Sequence, residues 1–370
     1  MKMLRAGKFA ALFALLALTS LAQAQTANWQ KDWEETLAAA KQEGTVVVLG
    51  QPSPAMRNEI LPKFTERYGI KVELIAGQSS TTVGKVRTER AAGIYSVDVF
   101  MSNGGTSISV LYAEKMIDPL KPMLVLPEVT DPSKWKGGVI PFADPDKQYL
   151  LLMFRSVDSH MVVNQDYVKP EEMRHVKDLL NPKWKGKIAT EDPAAAGGAG
   201  AGSAAHFYTQ IGPEFVKQLY IDQQAIVQRD RRQLSDWLAR GSAPICLTCH
   251  IDDMRALVNE GYKLVELFEL DGIQNRVTPA PSLLSVANKA PHPNAAKVFV
   301  NWMAGKEALE LYSRNAQAAT MRTDTDESFL DPRVIPKPGV QYSDYTDIDW
   351  QMRVRMDVAK KVRDLLKSGK

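Results

Sequence analysis

The chain has few features that would cross-link it or hold it in a membrane. Two cysteines in 370 residues cannot build a disulfide framework. After the first 24 residues, no stretch reaches the roughly 18 apolar residues that a membrane-spanning helix needs. Internal repeats and heptads are missing as well, which argues against a solenoid or a coiled coil. These absences predict a soluble globular protein, and its length is sufficient for two domains.

Sequence patterns of common hydrolases are also missing. The chain contains neither the G-x-S-x-G turn of a serine hydrolase nor the H-E-x-x-H pattern of a zinc protease. Its five histidines are scattered, and its acidic residues form no pair that can be placed in a cleft. We therefore expect a protein that is not an enzyme and that carries neither a cofactor nor a resident metal.

The beginning of the chain has the pattern of a secretory signal peptide. Lys2, Arg5 and Lys8 precede the apolar run Phe9–Leu18, and Ala22–Ala24 is a small-x-small cleavage signal. We expect cleavage at the end of this signal and export to a bacterial periplasm, where disulfides are allowed. No cysteine lies near the predicted cut, so a lipid anchor is not expected.

The remaining chain is electrically balanced. The excess of 46 Lys and Arg over 43 Asp and Glu comes entirely from the three basic residues of the signal peptide. A chain with no net charge has no general attraction to nucleic acid or to an anionic membrane surface, so neither is expected as a partner.

Hydrophobic patterning predicts an α/β protein. After an opening helix over about 28–43, short β-branched runs alternate with amphipathic segments, which favours mostly parallel sheets flanked by helices. The predicted strands are 45–49, 71–75, 98–101, 150–154, 160–164, 187–190, 225–228, 244–248, 264–268 and 282–287. The predicted helices are 55–68, 79–92, 171–180, 203–211, 233–240, 251–261, 295–303, 307–314 and 349–366, and a further helix follows residues 102–105 and ends at 115.

Several stretches together resemble the periplasmic solute-binding proteins of ABC importers, in the extracellular family 1 that includes the ferric-ion binders. The stretches are Gly77–Ser80, Lys85–Gly93, Val97–Val99, Val162–Val168, Asp178–Ala189 and Ser285–Met303. The resemblance implies a two-lobed (type II) fold, with two α/β lobes joined by two crossing strands that act as a hinge. It also implies a ligand in the cleft between the lobes and delivery of that ligand to a membrane permease.

The resemblance suggests a division of the chain. Residues 1–24 are the signal peptide, and residues 25–125 with about 278–325 form lobe 1. Residues from about 126 to 277 form lobe 2. Residues 326–370 are a C-terminal packing segment and helix.

Open α/β sheets bind ligands at the loops that follow the carboxyl ends of their strands. Several predicted loops there carry hydroxyl, amide or glycine residues, and helix starts with free backbone N–H groups favour anions. The same residues are also common helix caps. The candidates are Gln51, Ser53, Ser79, Ser80, Thr81, Ser102, Asn103, Gly104 and Thr106.

The second predicted lobe adds further candidates. The Gly/Ala segment 192–203 ends in Gly202 and Ser203, and it is interpreted either as an anion-binding helix start or as a flexible surface loop. Arg155 is a candidate partner for a carboxylate or a phosphate, and His250 is a candidate hydrogen-bond donor.

Both cysteines lie in the stretch Cys246-Leu-Thr-Cys249-His250, which has four interpretations. It could attach haem, bind a soft metal, exchange thiols, or form a short disulfide (or two quiet thiols) that shapes the cleft wall. In the ferric binders a pair of adjacent tyrosines follows the corresponding strand, and this chain has no adjacent tyrosines. That departure speaks against ferric binding.

The sequence therefore predicts the monomeric binding component of an ABC importer whose cargo is a small organic anion, either a carboxylate or a phosphoryl compound. A ferric-ion or metal-chelate binder is the second interpretation. A periplasmic C-x-x-C redox or haem protein is the third.

Overall fold

A computed structural model describes residues 29–195, 198–249 and 251–368. The predicted signal peptide and His250 lie outside these residues. Among the described residues, no helix is both long and apolar enough to cross a membrane.

Fourteen strands are arranged in three sheets within the described residues. They are β1 (Thr45–Gly50), β2 (Lys71–Ala76), β3 (Val99–Ser102), β4 (Ile117–Asp118), β5 (Leu151–Leu152), β6 (Ser156–Asp158), β7 (Met161–Asn164), β8 (Ile188–Thr190), β9 (Ile226–Val227), β10 (Ile245–Cys246), β11 (Leu264–Leu267), β12 (Arg276–Thr278), β13 (Leu283–Ala287) and β14 (Ser343–Asp344).

Helices connect these strands, and some begin or end in a wider turn. They are α1 (29–43), α2 (Leu61–Tyr68, after a turn Met56–Ile60), α3 (Ser79–Ala91), α4 (Gly104–Thr106, continued by Ser107–Tyr112), α5 (Pro127–Thr130), α6 (Ala199–Gln210), α7 (Pro213–Lys217, continued by Gln218–Asp222), α8 (Arg231–Ala239), α9 (Ile251–Asn259), α10 (Pro293–Ala304), α11 (Lys306–Ala316) and α12 (Met356–Ser368, after a turn Trp350–Arg355).

The first sheet has the strand order β2-β1-β3-β13-β4, and β5 also pairs with β13. Strands β1, β2 and β3 are parallel, as their short β-branched runs predict. One face packs against a cluster with Phe64, Phe299 and Trp302, and the other against a cluster with Val83 and Ile108. Helices therefore cover both faces of this sheet.

The second sheet has the order β11-β7-β10-β8-β9. Strands β8, β9 and β10 are parallel, whereas β7 is antiparallel to β10 and β11. The carboxyl ends of β8, β9 and β10 consequently lie at one edge, and their following loops meet there.

The chain crosses between the two sheets twice. It leaves the first sheet after β5, passes through β6 and enters the second at β7; it returns from β11 through β12 to β13. Strands β6 and β12 are antiparallel neighbours, and they form a small third sheet with β14. The two crossing strands expected from the family resemblance are therefore present, and a third strand from the C-terminal segment joins them.

Two secondary-structure predictions differ from the structure. The helix predicted over 171–180 is wrong, because only short 3₁₀ turns form at Pro170–Glu172 and Val176–Leu180. The backbone of Arg174 accepts from the N–H of Asp271, and the N–H of Val176 donates to the Asp271 carbonyl. These long-range bonds use groups that a continuous helix would need for itself.

The second difference is the Gly/Ala segment. Helix α6 starts at Ala199, four residues before the predicted start, so the end of the segment is a helical turn. Gly200 explains the early start, since a Cβ there would lie 2.4 Å from the Glu191 carbonyl oxygen. Only glycine lets the helix begin this close to the end of β8.

Candidate functional site

The predicted residues of the first sheet lie in loops at the carboxyl ends of its strands, and two of them are engaged in the protein itself. The Gln51 side-chain amide donates to the Pro281 carbonyl at 2.8 Å. The Ser53 hydroxyl accepts from the Met56 N–H at 3.2 Å, which is the bond of a helix cap. Thr81 is exposed on α3, and the side chain of Ser80 is outside the description.

The loop after β3 is more deeply buried. The Asn103 side chain accepts from the Thr106 N–H at 2.9 Å and caps α4, while the Asn103 N–H donates to the Ser79 hydroxyl at 3.2 Å. The hydroxyls of Ser102 and Thr106 are buried, and neither has a hydrogen-bond partner among the described residues. These two hydroxyls therefore have unused hydrogen-bonding capacity within the described chain.

Gly104 brings this loop against the chain that leaves β12. A Cβ at Gly104 would lie 2.6 Å from the ring of Pro279, so a larger residue would push the two segments apart. The position requires glycine for close approach, which gives Gly104 a packing role in the wall of the cleft.

The loops of the second sheet face those of the first. Glu191 follows β8 and pairs with Arg231 at 2.9 Å, and its N–H donates to the Thr248 hydroxyl at 2.8 Å. From the first sheet, the Gln78 amide donates to the carbonyl of Arg229 at 3.0 Å. This bond joins the carboxyl edges of the two sheets, so the cleft between them is closed at this point.

A buried arginine stands on the crossing strand β12. Arg276 is 6% exposed, and its Nε and Nη2 contact the Asp158 carboxylate of β6 at 2.9 and 2.7 Å. Burial opposes its charge, but Asp158 raises the pKa of Arg276 above its usual value. Its Nη1 is buried and has no hydrogen-bond partner among the described residues.

Aromatic and imidazole rings surround this guanidinium. The rings of His160 and His206 stack at 5.6 Å, and the Tyr345 ring meets His206 edge-on, also at 5.6 Å. Burial, together with the charge of Arg276, lowers the pKa of His160 to about 4 and that of His206 well below its ordinary value. Both histidines are thus neutral at neutral pH and add no charge to the site.

A second buried arginine approaches from the C-terminal segment. Arg355 is 7% exposed, and its guanidinium donates to the Gly198 carbonyl at 2.5 Å and to the Gln351 side chain at 2.8 Å. No carboxylate among the described residues pairs with it, and burial lowers its pKa to about 10. It keeps its positive charge at neutral pH, and its Nε has no partner within the described chain.

Ser203 and Tyr220 complete the group on the side of α6 and α7. Both hydroxyls are buried, and neither makes a hydrogen bond of good geometry to a described residue. Burial raises the pKa of Tyr220, so its phenol stays protonated at neutral pH. We refer to Arg276, Arg355, His160, His206, Tyr220, Tyr345 and Ser203 as the arginine cluster.

Few of the site residues predicted from the sequence belong to the arginine cluster or contact it. Ser203 belongs to it, and the Cα of Gly202 faces Arg355, since a Cβ there would lie 3.5 Å from Nη2. Arg155 pairs instead with Asp344 at 2.9 Å, at the side of the crossing strands. The sequence prediction named neither Arg276 nor Arg355.

One sequence signal would have indicated Arg355. In the C-terminal helix the buried positions are Gln351, Arg355, Val358, Ala359 and Val362, and all but Ala359 follow one another at spacings of four, three and four residues. An arginine on the apolar stripe of an amphipathic helix is unusual, because charged residues are rarely fully buried without a partner.

Cys246 and Cys249 are joined by a disulfide in the structure. Both lie in an apolar cluster with Val162, Leu238 and Met254, at the end of β10. Within the described ranges, no group of three or more His, Cys, Asp or Glu side chains could hold a metal ion. The disulfide therefore closes a short loop in the wall of the second sheet.

Comparison with known proteins decides the family. The family model of the bacterial extracellular solute-binding proteins matches residues 45–315. The chain belongs to this family. The predicted resemblance to the periplasmic solute-binding proteins of ABC importers is thereby confirmed.

Solved structures of low sequence identity share the fold of this solute-binding protein. The periplasmic binding protein AfuA from Actinobacillus pleuropneumoniae, with fructose 6-phosphate bound, is 19% identical, with a TM-score of 0.66 over 88% of this chain and 99% of AfuA. Iron-bound HitA from Pseudomonas aeruginosa is 15% identical, with a TM-score of 0.63 over 86% of this chain and 99% of HitA. The predicted two-lobed α/β fold is confirmed.

One curated relative is the iron uptake protein A1 of a Synechocystis strain, which is 25% identical over 131 residues. The match covers 35% of this solute-binding protein and about a third of that relative's length.

Proposed function

We propose that this solute-binding protein captures a small anionic solute at the arginine cluster, between its two sheets, and delivers it to the membrane permease of an ABC importer. It acts in the periplasm as a monomer and does not turn its ligand over. The cargo is a small organic anion, either a carboxylate or a phosphoryl compound.

The observation that carries the proposal is the charge of the cluster. Of the two buried arginines, Arg276 pairs with Asp158, whereas Arg355 has no carboxylate partner among the described residues, and both histidines are neutral. A buried charge without a counter-charge is costly, and pairing with an anion removes that cost. The cluster therefore favours a ligand that carries at least one negative charge.

The hydrogen-bonding groups support the same ligand. Arg276 Nη1, Arg355 Nε and the Tyr345 hydroxyl are buried and unpaired within the described chain. The Tyr220 hydroxyl lies near those of Ser203 and Thr190 but forms no hydrogen bond of good geometry with them. The guanidinium groups can only donate, and the hydroxyls donate as readily as they accept. Carboxylate and phosphoryl oxygens are acceptors, so they complement this set.

The same features disfavour a ferric ion as cargo. Two arginine charges repel a cation, and burial raises the pKa of the phenols of Tyr220 and Tyr345, which opposes the phenolate form that binds iron. A bound ferric ion or metal chelate is one of the outcomes that the following experiment distinguishes.

Native mass spectrometry of the protein purified gently from periplasm, without reduction, tests the proposal. We expect a retained small organic anion that leaves on mild activation, and a mass lower by two hydrogens for the disulfide. A metal adduct or a covalently held haem would contradict the proposal.

A matched pair of double variants tests the location. Arg276→Met with Asp158→Leu removes the buried ion pair together, so neither charge is left alone. Arg155→Met with Asp344→Leu removes a partly exposed pair that joins the residue before β6 to β14. Isothermal titration with inorganic phosphate, citrate and fructose 6-phosphate should show a loss of about tenfold or more for the first variant. The second should stay within about threefold; the reverse result would place the site at Arg155.

A further inference from the structure

The C-terminal segment lies outside the part of the chain that matches the family. The match ends at residue 315, whereas Tyr345 and Arg355 of the arginine cluster lie at least 30 residues later. A wall of the proposed site is thus built by a segment that the family pattern does not describe.

Residues 343–355, which we call the C-terminal clasp, touch all three sheets. β14 pairs with the crossing strand β12, and the Tyr345 N–H donates to the Val277 carbonyl at 2.8 Å. Ile348 packs against the apolar cluster of the first sheet, and Trp350 packs against that of the second. The turn Trp350–Arg355 also contacts Ser107–Tyr112, which directly follows the buried hydroxyl of Thr106.

The end of the clasp places Arg355 at the start of α6. Its guanidinium binds the Gly198 carbonyl, and Gly202 leaves room for it one helical turn later. The Gln351 side chain holds it from the clasp itself and also donates to the Tyr345 carbonyl at 2.7 Å. Arg355 is therefore positioned from both sides, and both of its acceptors are neutral.

We propose that Arg355 is a ligand-binding residue that the C-terminal clasp adds to the site, and that it determines the preference of this protein for anions. The proposal rests on the proposed function, since it assigns one of the two positive charges of that site. The charge of Arg276 is largely offset by Asp158, so Arg355 supplies the charge that the ligand neutralises.

The test compares full-length variants at one position with a neighbouring control. Arg355→Met removes the charge and keeps much of the apolar stem, whereas Arg355→Lys keeps the charge. Arg353→Met is the control, because Arg353 lies on the same turn with 80% of its side chain exposed. Binding is measured as the occupancy of the co-purified ligand in native mass spectrometry, and as the Kd of inorganic phosphate and of fructose 6-phosphate.

We expect Arg355→Met to weaken binding by about tenfold to a hundredfold, which is the range for a hydrogen bond to a charged group. Arg355→Lys should recover part of that loss, and Arg353→Met should bind like the wild type. The ligand-free protein should melt at the same temperature or higher in Arg355→Met, because a buried charge without a counter-charge has been removed. A residue with only a structural role would lower this melting temperature.

The outcomes separate the two proposals. If the wild type retains no anion and binds neither probe, the proposed function fails. If the wild type binds and Arg355→Met binds equally well, the role of Arg355 is overturned while the proposed function stands. If Arg355→Met melts lower without ligand and Arg355→Lys recovers nothing, Arg355 is structural and the inference is wrong.

Discussion

His160 and His206 show how one buried residue pair can make stability depend on pH. Burial and the nearby charge of Arg276 lower both pKa values below that of an unfolded histidine. Between about pH 6.5 and the lowered pKa of about 4 for His160, the unfolded chain binds more protons than the folded one. The stabilising effect of these histidines is therefore complete above about pH 6.5 and is lost as the pH falls.

We predict that the free energy of unfolding falls by up to about 1.4 kcal/mol per pH unit for each of these histidines between pH 6.5 and 4.5. His206→Phe keeps an aromatic ring in the stack and should make this dependence shallower. Urea unfolding of the ligand-free protein at several pH values measures the slope. Equal slopes for variant and wild type would mean that His206 does not titrate in this range.

Asp158 is the carboxylate that offsets the charge of Arg276. Asp158→Asn keeps the shape but leaves Arg276 without a counter-charge, so we expect the free energy of unfolding to fall by about 3 kcal/mol. Sulfate or phosphate should restore more stability to this variant than to the wild type, since an anion replaces the lost charge. Asp166→Asn, at an exposed pair with Lys263, should change stability by less than about 1 kcal/mol. Thermal melts with and without the anion give both quantities.

At the scale of one element, α6 depends on a glycine for its starting point. A methyl group at Gly200 would meet the backbone carbonyls of Glu191 and Asp192, whereas one at Gly202 would make an ordinary contact with Arg355. Gly200→Ala should destabilise the protein by about 1–3 kcal/mol, the usual range for overpacking. Gly202→Ala should be neutral or slightly stabilising, because alanine favours the helix. Similar melting temperatures for the two variants would contradict this account.

The Cys246–Cys249 disulfide is also a local feature, since it closes a short loop at the end of one strand, β10. It closes a very short loop, so its removal should lower the free energy of unfolding by only about 2 kcal/mol. Changing both cysteines to alanine avoids placing hydroxyls in their apolar cluster. We expect the Kd of the ligand to change by less than about threefold. Loss of ligand binding would instead make this stretch part of the site.

At the scale of the whole molecule, the arrangement of the two large sheets relative to each other determines whether the cleft is open or closed. Their loops are linked by Gln78 and Arg229 at the mouth of the cleft, and β6 and β12 connect the sheets behind it. We predict that an anion shifts the population towards this closed arrangement and lowers the radius of gyration in small-angle X-ray scattering. Gln78→Ala should weaken binding by up to about tenfold, through loss of one hydrogen bond that forms on closure. An unchanged radius at saturating ligand would contradict closure by hinge motion.

Much of the fold could be predicted from the sequence, because parallel strands and their covering helices leave local patterns. The run Thr45–Leu49 is β-branched and bounded by glycines, and it is indeed a central parallel strand. The failure at 171–180 has a non-local cause, since Asp271 binds that backbone from a distant part of the chain. The predicted lobe boundaries and the predicted signal cleavage stay predictions.

The candidate site was much less predictable. Hydroxyls and glycines after strands are visible in a sequence, and Ser203 was predicted in that way. Arg276 and Arg355 lie 79 positions apart in the chain, and neither follows a strand of the two large sheets. The two arginines are candidates for the site because they are buried and have few carboxylates nearby. Neither property can be read from a short stretch of sequence.

By itself, the sequence determined the class of this protein: a two-lobed α/β binding protein without a known catalytic pattern, because periodicity and family stretches are local and additive. Only the tertiary structure decided which charges meet. The crossing strand and the C-terminal clasp bring two buried arginines into one cluster, where Asp158 pairs with Arg276 and no described carboxylate pairs with Arg355. The low polarity of that place strengthens the effect of the unpaired charge, which is the physical basis of the proposed preference for an anion.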